Sequence, residues 1–141
     1  MDVPAYLSHL RSELDALAAC LGGDLSAPVR HCGDWSLYDL ADHVGNQNLW
    51  VVAAVTEGHG KHRGSPPPRE PAAPEAWFAG TAGRLLATLD ADPATPAWTF
   101  QPPHTVGFWQ RRRALETLIH RWDAQRALGA AEALDPELAA D

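Results

Sequence analysis

Histidines and carboxylates are the side chains of this 141-residue chain best suited to chemistry. Two of its seven histidines have an acid four residues before them, Asp39 before His43 and Glu116 before His120. That spacing puts both groups on one face of a helix. With 18 acids in the chain, about one such pair is expected by chance, so spacing alone decides nothing. Context separates the two. Asp39 follows Ser36 by three residues, the signature of a capping box, which gives its carboxylate a structural task. Glu116 sits in the middle of a helical pattern, where capping does not explain it.

At about 100° per residue, Trp109, Arg112, Arg113, Glu116, His120 and Asp123 share one helix face. Phe108, Leu115, Ile119 and Trp122 form an apolar stripe beside it. In the earlier segment, His43, Asn46, Gln47 and Trp50 share a face beside Leu40 and Ala54. Amides and imidazoles among bulky apolar residues are costly if buried unpaired. Two readings stay open at this point. One is a hydrogen-bonded polar cluster in the core. The other is a metal held between the faces by His43, Glu116 and His120, since bundles build metal sites from side chains on facing helices.

The elements that must position these groups are four helices. The first is expected from about Pro4 to Leu21, with Leu7, Leu10, Leu14, Leu17 and Leu21 at helical steps and Gly22-Gly23 as the stop. The second starts at the Ser36 cap and runs to about Glu57. The third spans about Pro74 to Leu89, with Trp77, Phe78, Leu85, Leu86 and Leu89. The fourth spans about Val106 to Leu128 and stops at Gly129. Between the second and third lies a polar stretch rich in glycine and proline, expected to be a mobile surface loop. It carries His59 and His62, but no thiol lies near them, and the loop reading is preferred to a metal site. Trp98-Thr99-Phe100 is expected to be a short extended piece. The fold class is therefore all-α, a four-helix bundle with a long crossover loop between helices two and three.

The residues from Asp34 to Val44, DWSLYDLADHV, and from Arg111 to Asp123, RRRALETLIHRWD, carry a resemblance. Together they are similar to the DinB-like superfamily, and more narrowly to the metal-binding N-terminal domain of mycothiol-dependent maleylpyruvate isomerases. The resemblance covers nearly the whole chain. It implies a divalent metal, typically zinc, held by His43, Glu116 and His120. Three protein ligands leave coordination positions open, as in catalytic zinc sites. It further implies mycothiol as a thiol co-substrate for S-transfer to, or isomerisation of, a small electrophile. Zinc is preferred to nickel or iron because thiol activation needs only a Lewis acid. Asn46, Gln47 and Asp123 are candidates to orient the ligands. Arg112, Arg113 and Trp109 are candidates to bind substrate, arginine being suited to carboxylates. The alternatives are a metal-dependent hydrolase and a non-catalytic metal-binding module.

Charge and composition narrow the partners. Eighteen acids against eleven bases give a net charge of −7, which disfavours nucleic acid and anionic membranes. The longest apolar run, Leu49 to Val55, is far below the ~18 residues of a membrane span. No secretion signal is legible at the N-terminus. Cys20 and Cys32 match neither a disulfide framework nor a zinc motif and are expected to be small buried residues. The expected setting is cytoplasmic. The tail restarts a helical pattern at Asp135-Pro136-Glu137, suggesting one domain over residues 1–141, either the N-terminal part of a longer two-domain protein or a single-domain relative with another substrate. The family's second domain walls its active site. Here that wall is expected from a second copy in a homodimer, from the loop, or from residues beyond Asp141.

Overall fold

The structure, a computed structural model, describes residues 1–30 and 32–141. Four long helices and one short one follow in order: α1 (Val3–Cys20), α2 (Leu37–Thr56), α3 (Ala73–Leu89), α4 (Val106–Ala127) and α5 (Pro136–Ala139). Among the described residues there is no strand, and residues 98–100 do not form one. Two isolated bridges, Pro28 to Ser36 and Pro96 to Thr105, brace the turns before α2 and α4. The all-α bundle expected from the sequence is the fold.

Each helix starts where its local chemistry dictates. Asp2 caps α1 by accepting from the Ala5 N–H at 2.9 Å, and Pro4 sits in the first turn, where its missing N–H costs nothing. Ser36 and Asp39 close the capping box of α2: the Asp39 carboxylate accepts from Ser36 N–H at 2.9 Å and Ser36 Oγ from Asp39 N–H at 3.3 Å. α1 packs chiefly on α4, and α2 on α3, while α2 and α4 meet over a smaller area. Leu10, Leu14 and Leu17 of α1, Leu40 and Val44 of α2, Phe78 and Leu85 of α3 and Leu118 of α4 fill the core. Gly45 lets α2 and α3 close up, because a Cβ there would lie 2.3 Å from the Trp77 ring.

α4 departs from the expected pattern. Its apolar stripe does not face the core: Ile119 is 50% exposed, and Phe108, Leu115 and Trp122 are only half-buried. The buried face carries Trp109, Gln110, Arg113, Thr117, Leu118 and Arg121. It can be polar because its cations find partners. Arg113 donates to Asn48 Oδ1 at 3.0 Å and to Glu116 at 2.7 Å. Arg121 pairs with buried Glu13 of α1 and donates to Gln125 and to the Glu132 carbonyl. Buried charges persist when both paired and hydrogen-bonded in this way.

Two connecting segments are tied down. The loop between α2 and α3 was expected to be mobile, yet it lies against α2. Trp50 Nε1 donates to the Gly60 carbonyl at 3.0 Å, Asn46 Nδ2 to the Ser65 carbonyl at 3.0 Å, and the Tyr38 hydroxyl to the Pro67 carbonyl. Polar groups on the outer face of α2 thus satisfy carbonyls that a proline-rich segment cannot pair internally. The tail folds back as α5, with Leu138 fully buried. Tyr6 donates to the Asp141 carboxylate, and Arg111 Nη2 donates to the Asp141 main-chain oxygen at 2.7 Å.

Candidate metal centre

His43 comes from the first half of α2 and His120 from the second half of α4. Their rings face each other across the α2–α4 seam, with centroids 5.4 Å apart and planes at 74°. Trp35, just before the Ser36 cap, packs on the other side of His43 at 5.0 Å. Burial lowers the pKa of both rings. For His43 the Arg113 charge adds to the effect. For His120 the neighbouring His43 and Arg113 add to it, and the value falls to about 4. Both are therefore neutral imidazoles at neutral pH, the form with a lone pair to give. His120 Nδ1 is buried with no hydrogen-bond partner among the described residues. An orphaned imidazole nitrogen beside a second neutral imidazole is a donor set that suits a divalent metal.

Glu116 lies one turn before His120 on α4, half-buried. Its carboxylate is held by two guanidiniums, Arg112 at 2.6 Å on Oε1 and Arg113 at 2.7 Å on Oε2. Among the described residues, His9, Asp135 and Glu137 are the set of three whose donor atoms all lie within 4.8 Å of one another. The structure thus brings His43 and His120 together, while Glu116 is drawn toward the arginines. Each Glu116 oxygen has about two acceptor sites, so one arginine apiece leaves room for another partner. The donor types fit a metal, and the carboxylate is positioned by its arginines.

The other candidates fall at different depths. Arg113 is 1% exposed and bonded to Asn48 and Glu116. Arg112 is at the surface, its guanidinium 4.8 Å from the Phe100 ring centre. Trp109 is buried, donating from Nε1 to the Trp98 carbonyl at 2.8 Å. Asn46 Nδ2 is committed to Asp42 and the loop. Asp123 lies near the loop leading into α2, where its charge helps burial raise the Cys32 pKa.

His43, Gln47 and Trp50 stand between two lobes of a cavity and line both. The lobe on the α2 side, about 500 Å3, adds Trp35, Asp39, Asp42, Asn46, His62 and Gly64. The lobe on the α4 side, about 620 Å3, adds Phe100, Trp109, Arg111, Arg112, Leu115, Glu116, Ile119 and His120. Trp35, His62 and Phe100 were not among the sequence candidates. Each lies outside the helices, where no periodicity assigns a facing direction. Leu115 and Ile119 were legible only as apolar, and that pointed to the core.

Comparison with known proteins places the chain. The family model described as mycothiol maleylpyruvate isomerase N-terminal domain matches residues 7–125. Two curated Mycobacterium tuberculosis proteins, Uncharacterized protein MT0763 and Uncharacterized protein Rv0738, are each 31% identical to it over 146 aligned positions. The alignments cover 96% of this chain and 73% of each relative. No solved structure matches the chain.

Proposed function

Since the chain belongs to the family of the mycothiol maleylpyruvate isomerase N-terminal domain, we propose that it binds a divalent metal between α2 and α4 and activates a low-molecular-weight thiol. The thiol is mycothiol, the metal zinc, and the reaction S-transfer to, or isomerisation of, a small electrophile. One observation carries the reading: two neutral imidazoles face each other where two lobes of a cavity meet. His43, His120 and Glu116 would hold the metal. When bound, such a cation supplies the Lewis acidity that turns a thiol into a thiolate at neutral pH.

The chain's own residues do the rest. Arg113 fixes the Glu116 carboxylate from beneath, and Arg112 holds it from the cavity side. Arg112 is also a guanidinium at the cavity edge, exposed enough to receive a substrate carboxylate. Trp50 and Trp109 wall the centre with indole rings 5.3 Å apart, excluding water from a sulfur nucleophile. That nucleophile comes from outside the chain. Burial pushes the thiols of Cys20 and Cys32 up, away from the reactive thiolate form. Two free cysteines and a thiol co-substrate suit a reducing, cytoplasmic setting.

Purified protein is expected to carry about one equivalent of metal, and His43→Ala or His120→Ala to lose it. Elemental analysis with full occupancy in both variants would refute the ligand assignment. Turnover is expected only with added thiol.

A further inference from the structure

The two lobes that meet at His43 differ in chemistry. The lobe on the α2 side is lined by two carboxylates, two amides, two histidines and two indoles, with no lysine or arginine among its described residues. Asp39 Oδ2 accepts from the Ser36 N–H, and Asp42 Oδ1 from Asn46 at 2.6 Å. The second oxygen of each has no donor among the described residues. Asn46 cannot be turned to offer N–H groups here, because Asp42 and Ser65 all present acceptors to its Nδ2. An unpaired carboxylate oxygen wants an O–H or N–H donor and repels an anion. Trp35 and Trp50 add flat apolar walls suited to the C–H faces of a ring.

The lobe on the α4 side is the reverse. Arg111 and Arg112 edge it, its one carboxylate, Glu116, is held by Arg112 and Arg113, and Phe100, Leu115 and Ile119 give it an apolar floor. Its chemistry suits a small anion with an unsaturated or apolar body.

We propose that the two substrates divide between these lobes. The α2-side lobe takes the body of the thiol co-substrate, a hydroxyl-rich group without negative charge, and the α4-side lobe takes an anionic electrophile. His43, Gln47 and Trp50 line both lobes, so the sulfur and the electrophilic carbon are brought together at His43. This assignment rests on the thiol-activating reading above, and Asp42 is its specificity-determining residue.

The test uses zinc-loaded full-length chain and calorimetric titration. S-methylmycothiol keeps the hydroxylated body but has no thiol to offer a metal. It is expected to bind, and Asp42→Ala to weaken it about tenfold or more with zinc content unchanged. S-methylglutathione, whose body is anionic, is expected not to bind. Maleate, a small unsaturated dianion, is expected to bind at the same time as S-methylmycothiol and to be lost in Leu115→Asp. Either of two results would overturn the division: no binding of S-methylmycothiol, or mutual exclusion between it and maleate. A crystal structure of the complex with the ring body outside the Trp35–Asp42 lobe would do so too. Failure of the thiol reading looks different: S-methylmycothiol would still bind, yet free mycothiol would support no turnover.

Discussion

Arg112 and Arg113 are neighbours in sequence and opposites in environment. The 100° between successive helical residues sends Arg113 into the core and leaves Arg112 at the cavity edge with 43% of its side chain exposed. Both hold Glu116, so their substitution separates burial from pairing. Arg113→Ala strands the Asn48 carbonyl in a dry interior and takes one partner from the half-buried Glu116 carboxylate. It should cost about 3–5 kcal/mol in urea unfolding. Arg112→Ala breaks a solvent-screened pair and should cost less than about 1 kcal/mol. Equal losses would mean that depth does not set the worth of these contacts. The sequence made both arginines visible as companions of Glu116, and likewise the two histidines. It could not rank their depth, because depth depends on Asn48, which lies 65 residues away and is read as an ordinary amide until α2 and α4 meet.

Helix boundaries were legible because they are written locally, in Pro4, in the Ser36–Asp39 box and in the glycines that follow α1 and α4. The facing of α4 was not. Its buried side carries Arg113, Thr117 and Arg121, and the reason for Arg121 is Glu13 on α1, 108 residues earlier. No periodicity scale credits an arginine for a partner on another helix. Glycine shows the same dependence on neighbours. Gly45→Ala would drive a methyl group into the Trp77 ring and should cost about 1–3 kcal/mol by overpacking the α2–α3 seam. Gly83→Ala on α3 meets nothing within 4 Å and should instead stabilise by about 0.5–1 kcal/mol through helix propensity. Thermal and urea unfolding of the two variants should move in opposite directions. A loss in both would show that helix α3 uses its glycines for something other than spacing.

For the whole molecule, the tail is part of the packed domain. Leu138 is fully buried, and Asp141 is gripped by Tyr6 of α1 and Arg111 of α4. Leu138→Ala should therefore cost about 2–5 kcal/mol, as for other core leucines. Protease digestion of that variant should begin beyond Gly129, at the end of α4. Resistance equal to that of the parent would show that α5 adds nothing to the fold. The sequence displayed the cap and the proline of this helix, but not its destination, since a four-residue element has too few positions to mark a buried face.

Three of the six tryptophans, Trp35, Trp50 and Trp109, line the lobes at the histidine pair, and Trp98 packs on Trp50. Trp50 lies edge-on to Trp98 and Trp109 at 5.5 and 5.3 Å, close enough for the three indoles to exchange excitation energy. Trp35 lies 5.0 Å from His43. Trp77 packs against Gly45 and Trp122 stacks under Arg126. Much of the protein's ultraviolet emission therefore originates in indoles that line the cavity at the candidate centre or pack on those that do. A quenching metal such as copper(II), or a ligand that dries the indoles, would change the colour and brightness of the protein with no label attached.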